Sequence, residues 1–212
     1  MLRSLKLGLG LGCGLVLAQP VFAAPITRDI NTPSAGLSHT NDFGNVVLTQ
    51  VTASEVLVTV NLASGVAGFH TQGSSDVFGF SIKGNPTVTI NGFSNAAFSA
   101  GTTNVDTGAT FGTFGYTINC AAKDCNGGAK TQTGPLSFDV SVTSGGLSIT
   151  QFSSTSGDYF YFADILGGSG TPNGLVAAFA EPSTLMLFAT PLTGLFFLRR
   201  KTLRAVRISG RC

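Results

Sequence analysis

The stretch PLSFDVSVT, residues 135–143, alternates apolar and polar side chains along its length. Leu136, Phe138, Val140 and Val142 fall on one face of an extended chain, and serine, aspartate and threonine side chains fall on the other. Because successive side chains of a β-strand point to opposite faces of a sheet, this period of two predicts a strand with one buried face.

Similar short stretches fill the chain between residues 45 and 179, separated by turn-forming sequences such as Asn91-Gly92. The other predicted strands cover residues 45–52, 55–62, 77–82, 87–90, 110–118, 147–152, 159–166 and 175–179. Helical periodicity is absent from this region, whereas β-branched and aromatic residues are frequent. We therefore predict an all-β domain over residues 45–179, an antiparallel β-sandwich or jelly roll of roughly nine short strands.

The charges of the chain are unevenly placed. The whole sequence has a formal net charge of +2, but residues 25–180 contain only four lysines and arginines against nine acids, a net charge of −5. A surface of that sign repels phosphate backbones. The composition therefore argues against nucleic acid as a partner of the central domain.

The N-terminus has the pattern of a secretory signal peptide. Arg3 and Lys6 precede an apolar run over residues 7–18, and the small residue Ala23 follows it. The apolar run would rise about 18 Å as a helix, which is short of a hydrocarbon core of about 30 Å. We predict a signal peptide over residues 1–23, removed by signal peptidase, and then an extended segment, residues 24–44, that leads into the domain.

Two cysteines lie in the central domain. Cys120 and Cys125 bracket four residues in a glycine-rich stretch, and a disulfide between them is expected in an exported protein. The alternative, a structural metal site, lacks the second Cys or His pair that tetrahedral coordination needs. The sequence predicts this disulfide and neither a metal site nor a cofactor.

The C-terminal region ends in an apolar segment followed by cations. Residues 183–198 contain no charge and would form a helix of about 24 Å, a marginal length for a membrane span, with Pro191 near its middle. Arg199, Arg200 and Lys201 follow directly and are expected to remain on the cytoplasmic side. We predict a transmembrane helix over residues 183–198 and a basic cytoplasmic tail over residues 202–212.

Residues 180–201 resemble a known sorting signal. Glu181-Pro182-Ser183-Thr184-Leu185, the apolar run and the basic cluster occur in the order found in the PEP-CTERM signal of Gram-negative bacteria that make exopolysaccharide. Ala180 stands where that motif usually has proline, and residues 202–212 extend farther beyond the cluster than is common.

The resemblance implies how the protein is sorted and does not imply a chemical activity. An exosortase, a membrane-embedded cysteine transpeptidase-like enzyme, would recognise Glu181 and Pro182 and process the tail. The protein would be held transiently in the inner membrane and then released to the cell surface or extracellular matrix. The alternative for the tail is permanent anchoring in the inner membrane.

No catalytic residue is predicted, so the leading interpretation is a noncatalytic surface or matrix protein associated with exopolysaccharide or biofilm. One alternative is a carbohydrate-binding module in which Tyr159 and Tyr161, on one face of a strand, form a platform for exopolysaccharide. Another is a secreted hydrolase using His70 near Ser74 and Asp76, although the sequence lacks a Gly-x-Ser-x-Gly motif.

A calcium site is a further alternative, because loops of exported β-proteins often gather oxygen ligands. The available oxygens belong to Asp106, Asp124, Asn126, Asp158 and Asp164, but their spacing matches no calcium-binding loop.

Overall fold

The computed structural model describes residues 22–34, 37, 42–71, 75–107, 110–126, 130–154, 158–167 and 173–179. The described residues form twelve strands, one short helix and one 3₁₀ turn. The strands are β1 (Ile26–Ile30), β2 (Thr32–Pro33), β3 (Gly44–Thr52), β4 (Glu55–Leu62), β5 (Val66–Phe69), β6 (Asp76–Phe80), β7 (Val88–Asn91), β8 (Phe98–Asp106), β9 (Thr113–Cys120), β10 (Leu136–Val142), β11 (Tyr159–Gly167) and β12 (Asn173–Phe179). The helix α1 spans Ala122–Cys125, and the 3₁₀ turn spans Ile149–Gln151.

The strands form two antiparallel sheets. The first sheet has the order β1-β3-β4-β10-β7, and the second has the order β2-β12-β11-β6-β9-β8, with β5 added to β11. The prediction of an all-β, antiparallel fold is confirmed. The number of strands was predicted too low, since twelve are present in the described ranges.

The core lies between the two sheets and is rich in phenylalanine. Phe138 of β10, in the first sheet, has its ring centroid 6.0 Å from that of Phe78 and 5.8 Å from that of Phe80, both in β6 of the second sheet. Val56, Val58 and other alternate residues of the first sheet complete this cluster. The alternation in PLSFDVSVT thus points its apolar side chains into the space between the sheets.

Most predicted strands occur close to their predicted positions. Strand β4 has the predicted bounds, and β10 differs from its prediction by one residue at each end. Residues 147–152 are an exception, because they contain the 3₁₀ turn instead of a strand. Ser148 accepts a hydrogen bond from the Thr150 amide and the Gln151 side chain caps the Ser148 amide, so local side-chain contacts favour the turn.

The other differences concern short or irregular strands. The extended segment that was expected to precede the domain contributes β1 and β2, which belong to the first and second sheets respectively. Strands β5 and β8 were also missed. Gly68 interrupts the apolar pattern of β5, and β8 is an edge strand whose exposed residues are small and polar, so neither has the alternation of a half-buried strand.

The second sheet also buries part of its outer face. Phe162 of β11 packs there against Phe114, with ring centroids 4.9 Å apart, and lies directly over Gly79 of β6. A Cβ atom at residue 79 would overlap the Phe162 ring. The absence of a side chain at Gly79 therefore allows a second, smaller apolar cluster to form outside the main core.

Candidate functional site

The residues of the predicted sorting signal lie outside the described residues. This applies to Glu181, Pro182, Ser183, Thr184, Leu185 and to the basic cluster Arg199, Arg200 and Lys201. The tail 202–212 and the signal peptide, apart from Phe22 and Ala23, also lie outside the described residues. These assignments stay predictions.

The structure does place the two points where these segments join the sandwich. Strand β12 ends at Phe179, two residues before Glu181. Strand β2 continues from β1 and runs antiparallel to β12, with Thr32 opposite Ala177. The chain therefore enters β1 from the same end of the sandwich toward which β12 leaves.

Cys120 and Cys125 lie at disulfide distance, with their Cα atoms 5.9 Å apart. Cys120 is the last residue of β9 and Cys125 is the last residue of α1. The Cys125 carbonyl accepts a hydrogen bond from the Thr71 amide. The pair thus fixes a short loop that contacts the chain leaving β5.

The proposed aromatic platform is not formed. Tyr161 is 1% exposed and stacks on Phe78 in the core, with ring centroids 5.8 Å apart. Tyr159 packs between Phe111 and Phe179 in edge-to-face geometry. The prediction of a sugar-binding face from Tyr159 and Tyr161 is wrong. A bulge between these residues breaks the regular alternation of side chains along β11, and the Tyr161 side chain is buried in the core.

His70 and Asp76 have separate partners. His70 is 3% exposed, and its Nδ1 lies 2.8 Å from the Lys130 carbonyl oxygen. The Thr117 hydroxyl lies within hydrogen-bond distance of two acceptors, Asp76 Oδ1 at 2.6 Å and the Thr102 carbonyl oxygen at 2.9 Å, and donates its one proton to either of them. Ser74 lies outside the described residues. These contacts give both side chains a role in holding adjacent segments together.

Asp164, one of the oxygens considered for a calcium site, is a buried acid. It lies within β11, is 7% exposed, and its backbone carbonyl accepts a hydrogen bond from the His70 amide. The pairing of Ile165 with Phe69 places His70 opposite Asp164, so both side chains share the outer face of the second sheet. Burial raises the pKa of Asp164 to about 7, and a hydrogen bond from the Ile165 amide partly opposes this effect.

The predicted calcium oxygens are not assembled into one site. Asp124 pairs with Lys123 at 3.0 Å, while Asp106 ends β8 and Asp164 is buried in β11. Across the described ranges, no three His, Cys, Asp or Glu side chains come together in a group that would hold a metal ion.

A groove between β7, at the edge of the first sheet, and β8, at the edge of the second sheet, was not predicted from the sequence. It has a volume of about 300 Å³ and is walled by β8 on one side and by the segment leading into β7 on the other. Its lining comprises Asn85, Pro86, Thr87, Val88, Ile90, Ala100, Gly101, Thr102, Thr103, Asn104, Tyr116 and Thr117. None of these side chains carries a charge at neutral pH.

Both walls of this β7–β8 groove are anchored from strand β9. The hydroxyl of Tyr116 donates a hydrogen bond to the Pro86 carbonyl, and the Thr117 hydroxyl lies 2.9 Å from the Thr102 carbonyl. Gly101 lies so close to Thr117 that a Cβ atom there would overlap the Thr117 hydroxyl. The groove is therefore held in shape by two buried side chains beneath it.

None of the helices in the described ranges is long and apolar enough to cross a membrane. No family model, curated protein or solved structure matches this chain.

Proposed function

We propose that this protein is an exported, noncatalytic β-sandwich that is sorted to the cell surface or extracellular matrix through its C-terminal signal. The signal peptide would direct the β-domain across the inner membrane, while the basic cluster and residues 202–212 stay on the cytoplasmic side. The apolar segment 183–198 would then hold the domain at the bilayer until an exosortase processes the chain near Glu181 and Pro182.

The observation that carries this proposal is the arrangement of the two chain ends. The last strand ends at Phe179, immediately before the motif, and the first strand is entered from the same end of the sandwich. A domain held at the bilayer through both its N-terminal and its C-terminal segment during export would therefore turn one end of the sandwich toward the membrane. The opposite end and the sheet edges would project away from the bilayer.

The cysteine pair supports an exported location. Cys120 and Cys125 are at disulfide distance, and disulfides persist in oxidising compartments outside the cytoplasm. We propose that the pair is oxidised in the mature protein.

The acidic composition of residues 25–180 is compatible with a partner other than nucleic acid, and we propose association with exopolysaccharide.

Removal of the sorting signal tests the proposal in the native host. We expect a chain ending at residue 180 to lose its surface fraction, because nothing would hold it at the bilayer for processing. The double substitution Glu181→Ala and Pro182→Ala should retain the protein unprocessed in the inner membrane, since the apolar segment would remain. Quantitative immunoblotting of membrane, periplasmic and surface fractions measures both outcomes.

The matched control is Thr202→Ala, which lies beyond the basic cluster and should leave sorting unchanged. If the chain ending at residue 180 reaches the surface in normal amounts and stays there, the proposed sorting route is wrong.

A further inference from the structure

We infer that the β7–β8 groove is a binding site for a neutral oligosaccharide. The inference concerns a site on the sandwich itself and does not depend on how the protein is sorted. It starts from the irregular backbone of both walls and from the polar residues that line them.

The β8 wall departs from regular strand geometry. The pairing of β8 with β9 shifts between Ala100 and Thr103, which marks a bulge, and Asn104 has a left-handed φ of 57°. Thr102, Thr103 and Asn104 all line the groove at this irregularity. Bulges are frequent next to active sites.

The opposite wall has a similar feature. Asn85 adopts a left-handed φ of 47°, and the following residues Pro86 and Thr87 also line the groove. Three non-glycine residues have positive φ in the described part of the chain, and two of them, Asn85 and Asn104, line this groove. Asparagine adopts this conformation more readily than most residues, so Asn85 and Asn104 fit the irregular backbone of both walls.

The polar groups available in the groove match sugar hydroxyls. In the part of the chain that the structure describes, the side chains of Asn85, Thr87, Thr102, Thr103 and Asn104 make no hydrogen bond to the protein. Threonine hydroxyls and asparagine amides both donate and accept hydrogen bonds, as sugar hydroxyls do.

The rest of the lining completes the match. Val88, Ile90 and Ala100 supply apolar surface for the C–H face of a sugar ring, beside the polar side chains that would fix its orientation. Because no lining residue is charged, the groove offers nothing to neutralise the carboxylate of an acidic sugar. A neutral oligosaccharide therefore fits better than a uronate-containing one.

An extended peptide is the competing ligand, because both walls are edges of sheets. Strand addition requires a regular row of free N–H and C=O groups along one edge. The bulge and the left-handed Asn104 interrupt that row on β8, as in edges that resist pairing with another strand. On the β8 wall the geometry therefore favours a sugar over strand addition.

The test is a glycan array of neutral and uronate-containing oligosaccharides, probed with the full-length chain in a detergent without a sugar headgroup. Affinity for the bound glycans is then measured by calorimetry. We expect binding to neutral glycans, and we expect the double variant Thr103→Val and Asn104→Gly to weaken it roughly tenfold or more, since two hydrogen-bonding side chains are lost. Glycine accommodates the left-handed backbone at residue 104, so the fold should be retained.

The matched control is Thr89→Val, an exposed threonine of β7 that does not line the groove, and it should bind as the unaltered protein does. The inference is overturned if no neutral glycan binds, if only uronate-containing glycans bind, or if the double variant binds as tightly as the control. Competition by an extended peptide for the same groove would also overturn it. Because binding is measured on purified protein, a failure here is distinct from a failure of sorting.

Discussion

Phe138→Ala is expected to lower the free energy of unfolding by about 3–5 kcal/mol. Phe138 is fully buried at the centre of the sandwich, where its ring approaches Phe78, Phe80 and Phe93 within about 6 Å. Truncation would remove the Phe138 contacts between the two sheets and leave a cavity that the surrounding rings fill only partly. Since domains of this kind are stable by roughly 5–15 kcal/mol, much of the total would be lost.

Urea denaturation of the purified protein measures this effect. Phe138→Leu preserves most of the apolar volume and should cost about 1.5 kcal/mol or less. Val51→Ala is the surface control, because Val51 is 42% exposed in β3, and it should change stability by less than about 0.5 kcal/mol. If Phe138→Ala costs no more than Val51→Ala, the two sheets do not pack as described.

Asp164→Asn is expected to stabilise the protein at alkaline pH but not at acidic pH. Asp164 ionises near 3.8 when unfolded, whereas burial raises its pKa to about 7 in the folded protein. Between these values the folded state binds more protons than the unfolded state, so the free energy of unfolding falls as the pH rises. Above about pH 7 the loss is complete and no longer changes with pH.

Asparagine does not ionise, so the variant should escape this loss. The difference in stability between the variant and the unaltered protein should grow from pH 4 to pH 7 and then level off, at no more than about 4 kcal/mol. Urea denaturation at a series of pH values measures it. His70 is the titratable side chain facing Asp164, and it is present in both proteins, so their comparison isolates Asp164.

Asp158→Asn is the matched control, because Asp158 is exposed just before β11 and its left-handed backbone accommodates asparagine. The difference in stability between this control and the unaltered protein should not grow between pH 4 and pH 7. A stability difference for Asp164→Asn that is constant from pH 4 to pH 8 would contradict the assignment of Asp164 as a buried acid.

The fold was predictable where a strand has one buried face and one exposed face. Strands β4 and β10 meet that condition, and their alternation located them closely. Edge strands with weak patterns were missed, because β1 is short and β8 carries small polar residues around a bulge. The fold class was therefore accessible from the sequence, while the strand count was not.

The candidate sites were less predictable, for two physical reasons. Strand β11 is buried on both faces, since Tyr161 faces the core and Phe162 faces the outer cluster, and a continuous apolar run does not indicate which side faces solvent. The β7–β8 groove depends on the left-handed backbone of Asn85 and Asn104, which are far apart in the sequence. By contrast, the pairing of Cys120 with Cys125 could be predicted because the two residues are close together in the sequence.

The most direct test of the proposed sorting is the mass of the mature protein, together with sequencing of both terminal peptides, in the surface fraction of the native host. Processing at both ends predicts an N-terminus at Ala24 or Pro25 and a chain that lacks Arg199, Arg200 and Lys201. A surface protein that still contains Arg199 would contradict the account.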